Sequence, residues 1–388
     1  MAADARVCEY LLELLRCALN GGIPQDKPEE ISWRSVFMLA KHHGVSALAR
    51  HAVTRLPEPI DAAVEENWLT LNSKLINKCF NQEHELASLE EAFVRGGIPY
   101  MPLKGSCIRN LYPERYQREM SDLDILVREK DLMAACDLAQ GLGYCVESET
   151  SHNIELLKKP YMCLELHRNL VPTSSVFFSY YSEPWQFTHP SEKPYCCVMT
   201  KEDYYVYMLV HAAKHYYGPG TGIRSVVDVY LFNRAYRPML DTEYIGKQLE
   251  KLQLVSFAKQ IEDLAEKWFA PQRAGNQCEN ETKRIEFYIL NSATYGNFES
   301  RDRNAVRKYV DKGSSLHTAK IAVYMHMVFL PRCEMELMYP ILKKAPVLLP
   351  ACWIARWFRI LIKKPGSVIA QYRRVAGIEM FEKKEDAM

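Results

Sequence analysis

Asp122 and Asp124 stand on either side of Leu123 in the run Ser121-Asp-Leu-Asp-Ile-Leu-Val127. The apolar, partly β-branched stretch from Leu123 to Val127 predicts a short strand. Side chains two apart on a strand share a face, so the two carboxylates project together while Leu123 and Ile125 turn into a core. Two carboxylates held side by side repel each other unless a cation lies between them. Hard oxygen ligands select Mg²⁺ or Mn²⁺, and Mg²⁺ commonly joins protein carboxylates to the phosphates of a substrate. In-line displacement with two metal ions asks for a third acid. The alternating run Tyr161 to His167 supplies one: Leu164 and Leu166 face inward, which leaves Glu165 and His167 on the accessible side. An acid on a central strand is costly unless it is paired or bound to metal.

Upstream lies Met101-Pro-Leu-Lys-Gly-Ser106. Ile98 to Leu103 reads as a strand leading into a tight turn at Gly105-Ser106, where glycine lets backbone approach a ligand closely. Cys107 to Leu111 reads as the first turns of a helix, whose free N–H groups favour phosphate. Lys104 and Arg118 stand near both motifs and would neutralise a triphosphate, although each reads equally well as a flanking charge. His211 and His215 are four apart on a predicted helix, a spacing that suits a metal. They lack the glutamate of a zinc-protease motif, and His211 shares a stripe with Tyr204, Tyr207 and Met208, so a packed aromatic face is the better reading. His215, Arg224 and Asp228 are candidates for a cleft wall; Arg224 and Asp228 equally suit a helix ion pair. The chain contains no His-Asp dipeptide, which argues against a His/Asp metal phosphohydrolase.

These residues need a frame. Tyr10, Leu11, Leu14, Leu15 and Ala18 form one apolar helical stripe, ended by Asn20-Gly21-Gly22. A second helix is predicted from Ser32 through Ala49 and a third from about Ile60 to Phe93, stopping at Gly96-Gly97. The period then shortens to strands, with one helix over Lys130 to Gln140. Residues 176–200, with prolines at 184, 190 and 194, read as an irregular connection. Helical periodicity returns at Lys201. The fold class is therefore α+β: a small mixed-sheet core at 96–175, an N-terminal helical region at 1–95 and a C-terminal helical domain at 201–388.

Composition sets limits. The chain has 388 residues, 48% hydrophobic and 25% charged, with 49 basic against 48 acidic side chains. A net charge of +1 gives no strong nucleic-acid signal. Twelve cysteines without a CxxC pair, Cys196 and Cys197 being adjacent, suit a reducing cytoplasm. No run of about 20 apolar residues is present to span a membrane. The segment 353–374 mixes Trp353, Trp357 and Phe358 with Arg356, Arg359, Lys363, Lys364, Arg373 and Arg374. Peripheral membrane contact there is the less favoured reading; aromatics packed on the body with basic residues left wet is preferred.

At its motif residues the chain resembles the DNA polymerase beta-like nucleotidyltransferase superfamily: a Gly-Ser turn, a spacer, Asp-hydrophobic-Asp, then a distant strand acid. More closely, Leu103-Lys104-Gly105, Arg118 to Val127 and Leu164-Glu165-Leu166-His167 look like an uncharacterised bacterial nucleotidyltransferase family. The similarity extends outward to Ala40 to Val45 and to His211 through Asp228. Two departures stand out: Lys104 occupies a place the superfamily usually gives to a hydrophobic residue, and the spacer from Ser106 to Asp122 is long. The resemblance implies Asp122, Asp124 and Glu165 as metal ligands, and Gly105 with Ser106 as holders of the nucleotide phosphates. It implies transfer of an NMP group, with ATP among the candidate NTPs, to an acceptor hydroxyl on a small molecule or protein. A catalytically silent nucleotide-binding sensor or assembly protein on the same fold is the alternative.

Overall fold

A computed structural model describes residues 4–218, 220–271, 280–292, 298–310, 313–363 and 365–378. The N-terminal elements are α1 (Ala5–Asn20), α2 (Trp33–His42), α3 (Ser46–Val53) and α4 (Ala62–Arg95). Asp4 caps α1 by accepting from the Arg6 amide, and Gly21 closes it at φ 79°, a conformation glycine adopts without a Cβ penalty. The single helix expected from Ser32 to Ala49 is two helices. Gly44 at φ 59° breaks the ladder between them, and His43 is fully buried, its ring reaching the Ile223 amide and the Leu290 carbonyl. A helix carrying a buried cap is thus divided by tertiary contacts that its own periodicity does not reveal.

The central part comprises β1 (Tyr100–Pro102), α5 (Gly105–Ile108), β2 (Leu123–Val127), α6 (Leu132–Gly141), β3 (Cys145–Glu149), β4 (Asn153–Lys158) and β5 (Met162–His167). These strands make one mixed sheet in the order β1-β2-β5-β4-β3, in which only β2 and β5 are parallel. One face of the sheet is apolar: Leu123, Ile125, Val127, Leu164 and Leu166 pack with Leu89 and Phe93 of α4 and Ala135, Cys136 and Ala139 of α6. At about 25 cal/mol per Å² such burial is the main force holding the sheet to its helices. The opposite face carries the polar residues of the two parallel strands. Residues 176–200, expected to be irregular, include a small hairpin, β6 (Thr188–Pro190) with β7 (Cys197–Met199).

The remaining elements are helices: α7 (Lys201–Tyr216), α8 (Ile223–Tyr236), α9 (Thr242–Lys251), α10 (Val255–Phe269), α11 (Asn280–Leu290), α12 (Phe298–Val310), α13 (Leu316–Val328), α14 (Arg332–Met338), α15 (Leu349–Lys363) and α16 (Pro365–Ala376). The expected boundary at 201 does not separate compact units. One unit is Met1–Lys214 with Thr221–Thr294, and the other is His215–Gly220 with Tyr295–Met388. The physical reason is packing: Asn20 and Arg16 of α1 bond to carbonyls at the end of α10, and Tyr230 of α8 reaches Asn20.

Among the described residues the second unit shows two small cores, one around Val306, Ala319, Val323 and Val375 and one around Met335, Leu342 and Cys352. Trp353 and Trp357 turn inward, as expected, and their indole N–H groups donate to the Leu330 and Val328 carbonyls at 2.9 and 3.0 Å. The division of α15 differs from expectation in two respects. Arg356 packs inward with the tryptophans, and Phe358 points out. Lys364 lies outside the described residues.

Candidate active site

The register of the parallel pair builds the site. Asp124 of β2 stands beside Glu165 of β5, so Asp122, Asp124, Glu165 and His167 share the face opposite the apolar core. His167 Nε2 lies 2.7 Å from Asp124 Oδ1 and 3.1 Å from Glu165 Oε2, and so donates between two carboxylates. Its Nδ1 is buried without a hydrogen-bond partner. Among the described residues, Asp124, Glu165 and His167 are the group of His, Cys, Asp and Glu whose ligand atoms all lie within 4.8 Å of one another. Two carboxylates and an imidazole are a donor set that fits a divalent cation.

Sequence reading expected Asp122, not His167, in the closest trio. Asp122 precedes the first paired residue of β2, which places it toward Cys163 instead of directly opposite Glu165. Burial and the Asp122 charge push the Cys163 thiol up to about 12. Asp122 still belongs electrostatically to the site: burial, then the Asp124 charge, raise its carboxyl above the ordinary range.

Lys104 answers the negative charge. Its ammonium donates to Asp124 Oδ1 at 2.5 Å. Burial alone would lower the Lys104 pKa, but the Asp124 carboxylate reverses this and holds it above its usual value. Burial also opposes ionisation of Asp124, yet Lys104 and His167 hold its carboxyl well below the carboxylate range. Glu165 is likewise drawn down against burial, chiefly by its bond with His167.

The tight turn falls one residue earlier than expected. Lys104, not Gly105, has the left-handed backbone, with φ 49° and ψ −119°. A non-glycine residue held there costs on the order of 1–3 kcal/mol, and such strain gathers where a site must be shaped. The Tyr204 hydroxyl donates to the Lys104 carbonyl at 2.7 Å and fixes the turn. Gly105 is needed for a different reason: a Cβ there would stand 2.7 Å from the Met120 sulfur and 2.8 Å from its Cγ. The expected helical start is only four residues long and passes directly into a 3₁₀ turn at Arg109–Leu111. Ser106 is half-buried on its second position.

Arg118 is engaged by an acid of α8. Its guanidinium makes a bidentate pair with Asp228 of α8, both bonds 2.8 Å, and both side chains are buried. The Tyr112 hydroxyl donates to the same carboxylate at 2.7 Å. Arg224 donates to the Glu119 carbonyl at 2.6 Å, and the Glu119 carboxylate accepts from the Ser46 amide at the start of α3. Arg118, Arg224 and Asp228 therefore clamp the loop that leads into Asp122. His211 is half-buried with its ring 6.4 Å from that of Tyr207, and His215 packs with the second unit. Neither belongs to the close acidic group.

Lys214 was missed by the sequence reading. It continues the α7 stripe of Tyr204, Tyr207 and His211 at helical spacing, a stripe that reads as a packed aromatic face. Burial, then the Lys104 charge, draw its amine down to about 8, while Asp124, Glu165 and Asp122 pull the other way. His152 was missed too; its ring lies 5.8 Å from that of His167, and burial lowers it to about 4. The site is thus an acidic patch in which Lys104 pairs with Asp124 and whose charges act on Lys214.

Searches of curated proteins and of solved structures gave no match. A family model described as "Uncharacterised nucleotidyltransferase" matches residues 29–270, which takes in the sheet, the acidic face, Lys214 and the Arg118 clamp. An α+β nucleotidyltransferase core, with an acidic and histidine group able to hold a divalent cation, agrees with that match. The chain belongs to this family of uncharacterised nucleotidyltransferases.

Proposed function

We propose that the protein transfers a nucleoside monophosphate from an NTP to an acceptor hydroxyl, with Mg²⁺ or Mn²⁺ held by Asp124 and Glu165 and supported by Asp122. The observation that carries this is the strand register that sets Asp124 against Glu165 with His167 between them. A bound divalent cation supplies charge neutralisation at the reacting phosphate. His167 orients the two carboxylates, and Lys104 and Lys214 offer positive charge to the triphosphate. The acceptor oxygen bonds to the α-phosphorus, the bond from that phosphorus to the bridging oxygen breaks, and pyrophosphate leaves. The acceptor proton passes to Glu165, whose side chain is 23% exposed against 4% for Asp124. Alignment and fixed charge provide the acceleration, as in phosphoryl transfer generally. Incubating the protein and a cell extract with NTP labelled at the α-phosphate tests this. Label should appear in a product only when metal is present, and label at the γ-phosphate should not. Saturable NTP binding with no labelled product would favour the sensor reading.

Lys214 gives a second test. Losing a charge-assisted contact worth about 1.5–3 kcal/mol should weaken NTP binding roughly tenfold to a hundredfold in Lys214→Ala. A lysine titrating near 8 is charged below that pH and neutral above it. The groups acting on it are Lys104, Asp122, Asp124 and Glu165, and its own charge is felt by His152. NTP affinity, measured by calorimetry, should therefore fall as pH rises through about 8 and stay level in Lys214→Arg. An identical pH profile in both proteins would remove Lys214 from the phosphate site.

A further inference from the structure

The two ends of the chain differ in charge. Residues 295–388 hold 17 Lys and Arg against 9 Asp and Glu, although the whole chain is almost balanced. From Leu337 to Ile378 there are eight basic residues and no acid at all. The described part of this segment also shows apolar side chains to solvent. In α15, Cys352, Trp353, Arg356 and Trp357 form the inward face. The outward face is Ala351, Ile354, Ala355, Phe358 and Arg359, with Ile354 59% and Phe358 65% exposed. Val347, in the turn just before the helix, is 83% exposed, and Lys343 and Lys344 stand exposed beside it.

A helix whose outer face is apolar, accompanied by the exposed cations Lys343, Lys344 and Arg359, has the composition of an element that lies in a membrane interface. Among the described residues no helix is long and apolar enough to cross a membrane, so the contact would be peripheral. We infer that the outer face of α15 and the turn before it dock on an anionic lipid surface. Val347, Ile354 and Phe358 enter the boundary between headgroups and acyl chains, and Lys343, Lys344 and Arg359 meet headgroup phosphates. Charge complementarity selects this occupant. A second copy would bring one acid-free basic segment against another, and like charges oppose that pairing. Nucleic acid would meet the cations but leaves no use for exposed valine and isoleucine, since single strands are held by stacking on aromatic rings.

The full-length protein is floated with vesicles of phosphatidylcholine alone and of phosphatidylcholine with phosphatidylglycerol. It should partition onto the anionic vesicles at least roughly tenfold better, and added salt should weaken this binding. The double variant Ile354→Ser/Phe358→Ser should lose at least about tenfold of it while its thermal unfolding is unchanged, because both side chains are exposed. Three results would overturn the inference. One is no preference for anionic vesicles. Another is undiminished binding by the double variant, which would mark plain polyanion attraction such as RNA. The third is a dimer in sedimentation that the double variant dissociates.

Discussion

Asp124→Asn is expected to lower metal-dependent NMP transfer by about 10³-fold, equivalent to roughly 4 kcal/mol of lost transition-state stabilisation. The reason is positional. Asp124 is 3% exposed, central to the sheet, and touches both His167 and Lys104 through one oxygen. Asparagine keeps the shape and can still accept those two bonds through its carbonyl oxygen, but it removes the charge that a divalent cation requires. Lys104 keeps Asp122 and Glu165 as neighbouring charges, so the fold should survive. Circular dichroism and a melting curve check that point, and turnover with α-labelled NTP reads the chemistry. Retained turnover in a folded Asp124→Asn protein would place the reaction elsewhere.

The second large effect concerns stability. Asp228→Ala leaves the Arg118 guanidinium, 9% exposed, without its carboxylate and strands the Tyr112 hydroxyl. Breaking a buried pair from one side costs about 3–5 kcal/mol, because the surviving charge stays out of water. For a chain of this size a Tm drop on the order of 10 °C is expected by calorimetry. The double variant Arg118→Met/Asp228→Leu should recover much of the loss, since paired replacement by apolar groups is often close to neutral. If Arg118 bound phosphate instead, Arg118→Met would weaken NTP binding and leave Tm unmoved. The two roles give opposite patterns.

Much of the core could be read from residue order. The apolar, β-branched run Leu123–Val127 and the alternation from Tyr161 marked two strands, their inward leucines and the acids on the opposite face, because Leu123, Leu164 and Leu166 pack into one core. Strands β3 and β4 were not foreseen. Cys145, Val146 and Glu147 of β3 are all exposed at the sheet edge, so burial never imposed a pattern on that sequence. Long-range partners were equally invisible. Arg118 and Asp228 are 110 residues apart, and nothing local says that their charges meet. Lys104 and Gly105 exchanged roles for a similar reason: the φ that glycine usually supplies is imposed on lysine by the Tyr204 and Asp124 contacts. His167 was seen to face the site, but only the strand register shows that it sits between the two acids.

The account rests on a divalent cation and an NTP meeting at Asp124 and Glu165. Manganese binding, followed by electron paramagnetic resonance with each of the four NTPs in turn, tests this most directly. In the unaltered protein at least one NTP should bring Mn²⁺ into a protein-bound signal, and the folded double variant Asp124→Asn/Glu165→Gln should lose that signal. The same signal, undiminished in the double variant, would contradict the account.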